Sequence, residues 1–108
     1  MSAALYRYPV FLTEADWRSA VAGFDKRVRR LRAAARLEQA RRVRAAMTDA
    51  DGESMPDGDE FKYVLHLTEK DYDFLRDAVE YRRNGIPRDT AERIANELLL
   101  ALGDATAL

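Results

Sequence analysis

Trp17, Val21, Phe24, Val28, Leu31 and Ala35 recur at spacings of four, three, four, three and four. That is the period of one helical face turned toward a core, and Lys26, Arg27, Arg29 and Arg30 fall on the other faces. Thr13 stands before the stripe as an N-cap, with Glu14 and Asp16 in the first turn, where acids suit the helix dipole. No Gly or Pro interrupts Asp25 to Thr48, and Ala, Arg, Leu and Gln favour helix. The expectation is one long helix over about 14–48. Its second half leaves the first stripe: at about 100° per residue, Leu37, Ala40, Val43 and Met47 point away from the Trp17 face, and Arg42 falls onto it. That half is therefore expected to pack on a different partner, either the chain's other helices or a second copy.

The remaining elements are shorter. Tyr6 to Leu12 reads as a strand rich in aromatic and β-branched residues, with Pro9 favouring an edge. Asp49 to Glu60 holds six acids, no base, two glycines and Pro56, and reads as a loop. Phe61 to Leu67 alternates Tyr63, Leu65 and Leu67 against Lys62, Val64 and His66, the period of a strand. Thr68 caps a helix carrying Tyr72, Leu75 and Val79 on one face, and Asn84-Gly85 with Pro87 ends it. Asp89 and Glu92 form a capping-box pattern that opens a last helix over about 90–102. The tail after Gly103 is expected to fray. The predicted fold is α+β and helix-dominated, in the order β-α-β-α-α, with a short two-stranded ribbon packed on helices. At 108 residues the chain is expected to form a single domain, 1–108.

Part of the chain echoes itself. Tyr8-Pro-Val-Phe-Leu-Thr-Glu-Ala-Asp-Trp17 aligns without a gap on Tyr63-Val-Leu-His-Leu-Thr-Glu-Lys-Asp-Tyr72, with five of ten positions identical. Strand, Thr cap and early acid form a common local solution, and that accounts for the echo. The sharper reading is a β-α unit used twice, its two strands paired as a ribbon.

Charge narrows the function classes. The net charge of −1 conceals 11 Lys and Arg against 4 Asp and Glu in residues 1–48, and 7 against 15 in residues 49–108. Such asymmetry marks a binding surface or two halves that attract each other. Between Lys26 and Arg44 nine cations, among them Arg27, Arg30, Arg36, Arg41 and Arg42, face Glu38 alone. Arg fits phosphate bidentately, so this segment is a nucleic-acid candidate, although no aromatic residue that could stack on bases lies between Phe24 and Phe61. There is no cysteine, the longest apolar run is Leu98–Leu102, and the first ten residues do not have the pattern of a secretory signal. A soluble cytoplasmic protein without membrane contact is expected.

Catalytic chemistry finds little support. His66 is the sole histidine, the serines are Ser2, Ser19 and Ser54, and no glycine-rich phosphate loop exists. Asp49, Asp51, Glu53, Met55, Asp57 and Glu60 fall in a calcium-loop register. Ser54 occupies the position that needs glycine, however, and a strand follows where a helix should. No enzyme activity, cofactor, metal or small-molecule substrate is expected.

Residues 62–102 run strand, Thr68 cap, helix, Asn84-Gly85-Ile86 turn and helix, and in this they are similar to the ribbon-helix-helix DNA-binding family. The resemblance implies two chains that pair their strands and place outward residues in the major groove. Here those residues would be Lys62, Val64 and His66. The acids Asp89, Glu92 and Glu97 and an N-terminal extension of some sixty residues depart from that pattern.

The leading functional expectation is a non-catalytic regulatory, adaptor or inhibitor protein that works through protein contacts as a homodimer. Its surface would be Leu37, Ala40, Val43 and Met47 with Arg36 and Arg44. The alternative is a nucleic-acid-binding regulator using Arg27, Arg30, Arg41, Arg42 and Arg44, or Lys62 and His66 of the ribbon.

Overall fold

The computed structural model describes residues 3–108. Strand β1, Tyr6–Thr13, leads into helices α1, Glu14–Val28, and α2, Ala34–Asp49. A two-residue strand β2, Glu53–Ser54, precedes β3, Glu60–Leu67, which is followed by α3, Glu69–Glu80, and α4, Arg88–Gly103. A last two-residue strand, β4, is Thr106–Ala107. The sheet is antiparallel in the order β2-β3-β1-β4. The α+β, helix-dominated fold read from the sequence is the one observed. No helix among the described residues is long and apolar enough to cross a membrane.

The long helix expected over 14–48 is two helices. Arg29 caps the C-terminus of α1, its N–H donating to Asp25 O, and Ala33 is already extended at φ −69°, ψ 131°. The cause is the change of apolar face. A straight helix cannot turn both the Trp17 stripe and the Ala40–Val43–Met47 stripe toward one core, and the intervening connection lets α2 fold back. Leu31 packs on the core within that connection, and Arg44 Nε donates to Asp25 Oδ1 at 2.9 Å, tying α2 to α1. Because the break uses ordinary helical and extended backbone, it needs neither Gly nor Pro.

Three further expectations are corrected. The ribbon is widened at its ends, since β2 pairs with β3 (Glu53 opposite Lys62) and β4 with β1 (Thr106 opposite Arg7). The tail after Gly103 accordingly includes β4, and Leu108 N–H donates to Leu5 O at 3.0 Å. The acidic stretch 49–60 likewise contains β2, held by Met55 N–H on Glu60 O.

The internal echo is structural. β1-α1-α2-β2 and β3-α3-α4-β4 repeat one order of elements, and β1 pairs antiparallel with β3 about the Pro9–Val64 position, where each residue faces its own counterpart in the echo. Thr13 Oγ1 accepts from Asp16 N and Thr68 Oγ1 from Asp71 N, at 3.1 and 3.2 Å. The units complete each other. Trp17 of the first stacks on Tyr63 of the second with ring centroids 4.1 Å apart, and Tyr72 of the second stacks on Tyr8 of the first at 3.8 Å. Asp16 receives Arg93 from α4 through two hydrogen bonds of 3.1 Å. Asp71 receives Arg42 from α2 through two more, with Gln39 donating a third. The pairing of β1 with β3 is made within the one chain.

The core lies between the sheet and the four helices. Tyr8, Val10, Leu12, Tyr63, Leu65 and Leu67 supply the sheet's inner face, and Phe24, Val43, Leu75, Ile94 and Leu98 the helical side. Tyr72 is wholly buried and its hydroxyl donates to Leu98 O at 2.6 Å. Burial pushes this phenol above its ordinary value, and Tyr8 and Tyr63 move the same way for the same cause. The folded state therefore favours neutral tyrosine. This contribution is complete below the unfolded pKa of about 10 and is lost as pH rises past it. Urea midpoints measured upward from neutral pH should fall above about pH 10, and fall less steeply in Tyr72→Phe.

Candidate nucleic-acid interface

The cations fall into two groups. Seven arginines have ion-pair partners: Arg18 with Glu14, Arg41 with Glu38, Arg42 with Asp71, Arg44 with Asp25, Arg76 with Asp73, Arg88 with Glu92 and Arg93 with Asp16. In two of these the carboxylate is buried, Asp71 at 6% and Asp16 at 12% side-chain exposure, so these pairs belong to the folding of the chain. The hydrogen bonds that it donates to Asp71 raise the Arg42 guanidinium above its ordinary value, and those donated to Asp16 do the same for Arg93. The exposed pairs contribute little to stability.

The cations without such a partner, among the described residues, are concentrated at two places in the chain. Lys26 and Arg27 in the last turn of α1, Arg29, Arg30 and Arg32 in the connection after it, and Arg36 in the first turn of α2 form one run, while Arg82 and Arg83 lie in the connection from α3 to α4. The two connections adjoin. The Arg27 guanidinium lies 4.3 Å from the centroid of the Tyr81 ring. A Cβ at Gly85 would collide with the Lys26 side chain, and one at Gly23 would collide with Ile86. Gly85 has φ +80°, the left-handed conformation its turn requires, and Asn84 holds the turn by donating to Ala78 O and Val79 O. An open groove of about 890 Å³, whose lining includes Glu80, Tyr81, Arg82, Ile86, Arg88 and Glu92, lies beside this basic surface. Such an array can hold a polyanion through several phosphates, because each guanidinium presents a fork of donors.

The expected partner surface is corrected. Ala40, Val43 and Met47 are 0–2% exposed and lie in the chain's own core, with Leu37 half-buried at its margin. The stripe left the Trp17 face because α2 folds back, so it needs no second molecule to cover it. Arg44 is turned to Asp25, and Arg36 lies with its guanidinium 6.0 Å from the centroid of the Phe74 ring. Of the nucleic-acid candidates, Arg27 and Arg30 stand on the basic surface. Arg41, Arg42 and Arg44 are held by acids of the same chain. Lys62 and His66 lie on the outer face of the sheet, Lys62 half-buried and His66 exposed.

The sequence did not single out Arg82 and Arg83 for this surface. Their signal was present as two adjacent arginines before a turn, but only the fold brings them beside Lys26 and Arg27. Ser2 lies outside the described residues. Ser19 is on α1 and Ser54 on β2, while His66 stands on β3. The calcium register is spread over three elements, since Asp49 ends α2, Glu53 is in β2 and Glu60 opens β3. Among the described residues no group of three or more acids or histidines is placed to hold a metal ion.

No family model, curated protein or solved structure matches the chain.

Proposed function

We propose that the protein is a non-catalytic, cytoplasmic regulator that binds nucleic acid through the basic surface formed by the α1–α2 and α3–α4 connections. One observation carries this reading. Cations with a carboxylate partner are spread around the molecule, whereas most of those without one, among the described residues, lie on two connections and the adjoining turns of α1 and α2. A chain of net charge −1 that keeps these cations clear of its own 19 acids is organised to offer them to another anion.

Fluorescence anisotropy with labelled DNA tests the reading. Each phosphate neutralised releases counterion, so engagement of about six or more cations should weaken binding roughly a thousandfold between about 50 and 200 mM salt. Absence of binding at the lower salt would refute it.

A second reading, a regulator, adaptor or inhibitor that acts through protein contacts as a homodimer, rests on a different surface from the stripe. Leu5, Leu99, Leu100, Leu102 and Leu108 are 39–65% exposed, and β4 brings Leu108 to Leu5. Light scattering that shows a strict monomer at high concentration would remove the homodimer.

A further inference from the structure

The sheet carries its helices on one face. The core takes in the inward residues of β1 and β3, whereas Arg7, Pro9 and Phe11 of β1 and Lys62, Val64 and His66 of β3 have no part in it. The register sets Arg7 opposite His66, Pro9 opposite Val64 and Phe11 opposite Lys62. Each strand therefore offers a cation, an aliphatic residue and a planar ring in the same order, and each ring lies across from the other strand's cation. The arrangement repeats because the two units are related about the Pro9–Val64 position. Among the described residues Arg7 and Lys62 are also cations without an ion-pair partner, which leaves Lys70 as the remaining one outside this face and the basic surface.

A ring beside a cation on an open sheet fits one kind of ligand well. The ring stacks on a base, which every nucleotide offers, and the cation meets the adjacent phosphate. Duplex DNA fits less well. Its major groove, about 12 Å wide, admits a two-stranded ribbon. Here β2 extends the sheet beside Lys62 and β4 extends it beside Arg7, giving three strands at either end. Three strands already span about 10 Å between their outer axes before side chains are added. The acids on this face, Glu53 and Glu60, lie at the Lys62 end, so the Arg7–His66 end is the more favourable to an anion.

We infer that the outer face of the sheet is a platform for single-stranded nucleic acid, on which Phe11 and His66 stack bases and Arg7 and Lys62 engage phosphates. The inference rests on the nucleic-acid reading above and adds to it a second surface, on the sheet, with its own substrate class. A short labelled single-stranded DNA and the duplex of the same sequence, titrated at low salt, provide the test. The single strand should bind about tenfold more tightly than the duplex, and Phe11→Ala should remove about tenfold of single-strand affinity while leaving duplex affinity unchanged. Phe11→Trp should retain single-strand binding. The thermal midpoint of Phe11→Ala should stay at the wild-type value, since Phe11 lies outside the core. Equal or tighter binding of the duplex, or single-strand affinity indifferent to Phe11→Ala, would overturn the platform. If the duplex then still binds in a salt-dependent way, the nucleic-acid reading stands without the platform. No binding of either probe would remove both.

Discussion

Tyr72→Ala is expected to lower the stability of the protein by about 3–5 kcal/mol, the range for truncating a buried aromatic side chain. Small domains hold about 5–15 kcal/mol in total, so this one change should consume a large share of it. The position is costly because three interactions meet there. The ring is fully buried and stacks on Tyr8 with an interplanar angle of 12°, and its hydroxyl donates to the Leu98 carbonyl inside α4. Alanine leaves a cavity across the join between the two units and removes the second hydrogen bond that the Leu98 carbonyl of α4 accepts. Urea denaturation followed by circular dichroism measures the loss. A cost below about 1 kcal/mol would mean that the units do not depend on the exchanged aromatic stack.

Simultaneous replacement of Lys26, Arg27, Arg82 and Arg83 by Glu is expected to weaken nucleic-acid binding about a thousandfold at low salt. Each reversal removes a phosphate partner and adds a repelling charge at the same place. Lys26, Arg82 and Arg83 are exposed and none of the four has an ion-pair partner, so the fold should tolerate the change. Loss of the Arg27–Tyr81 contact should cost no more than about 1 kcal/mol. Arg18→Glu serves as the comparison. It is a cation of the same half of the chain, held by Glu14 away from the connections, and its reversal should change affinity far less. Anisotropy titrations of the two variants against wild type distinguish a localised surface from a diffuse charge effect. An equal loss per reversed charge in both would leave the helix connections without a special role.

The elements whose cause is local were legible in the sequence. Alternation placed β1 and β3, Thr13 and Thr68 announced α1 and α3, and Asn84-Gly85 with Pro87 marked the turn before α4. The features that depend on tertiary packing were not. Residues 25–48 carry no helix breaker, so the end of α1 is visible only as a rotated apolar face, and that rotation admits a second molecule as readily as a folded-back helix. The same ambiguity made core residues Ala40, Val43 and Met47 look like a partner surface. β2 and β4 are two residues each and take their structure from the edges they join, so propensity does not reveal them. The site followed the same rule. The run of arginines was evident, but which of them are neutralised depends on Asp25, Asp71 and Asp16, which lie 19, 29 and 77 residues from their partners.

The placement of the nucleic-acid surface is tested most directly by two-dimensional ¹H–¹⁵N NMR of the labelled protein, titrated with a short duplex DNA at low salt. The account predicts that amide shifts change in residues 26–36 and 81–86, with little change along the paired arginines of α2. Shifts confined to Leu5 and the C-terminal turn of α4, or no shifts at all, would contradict it.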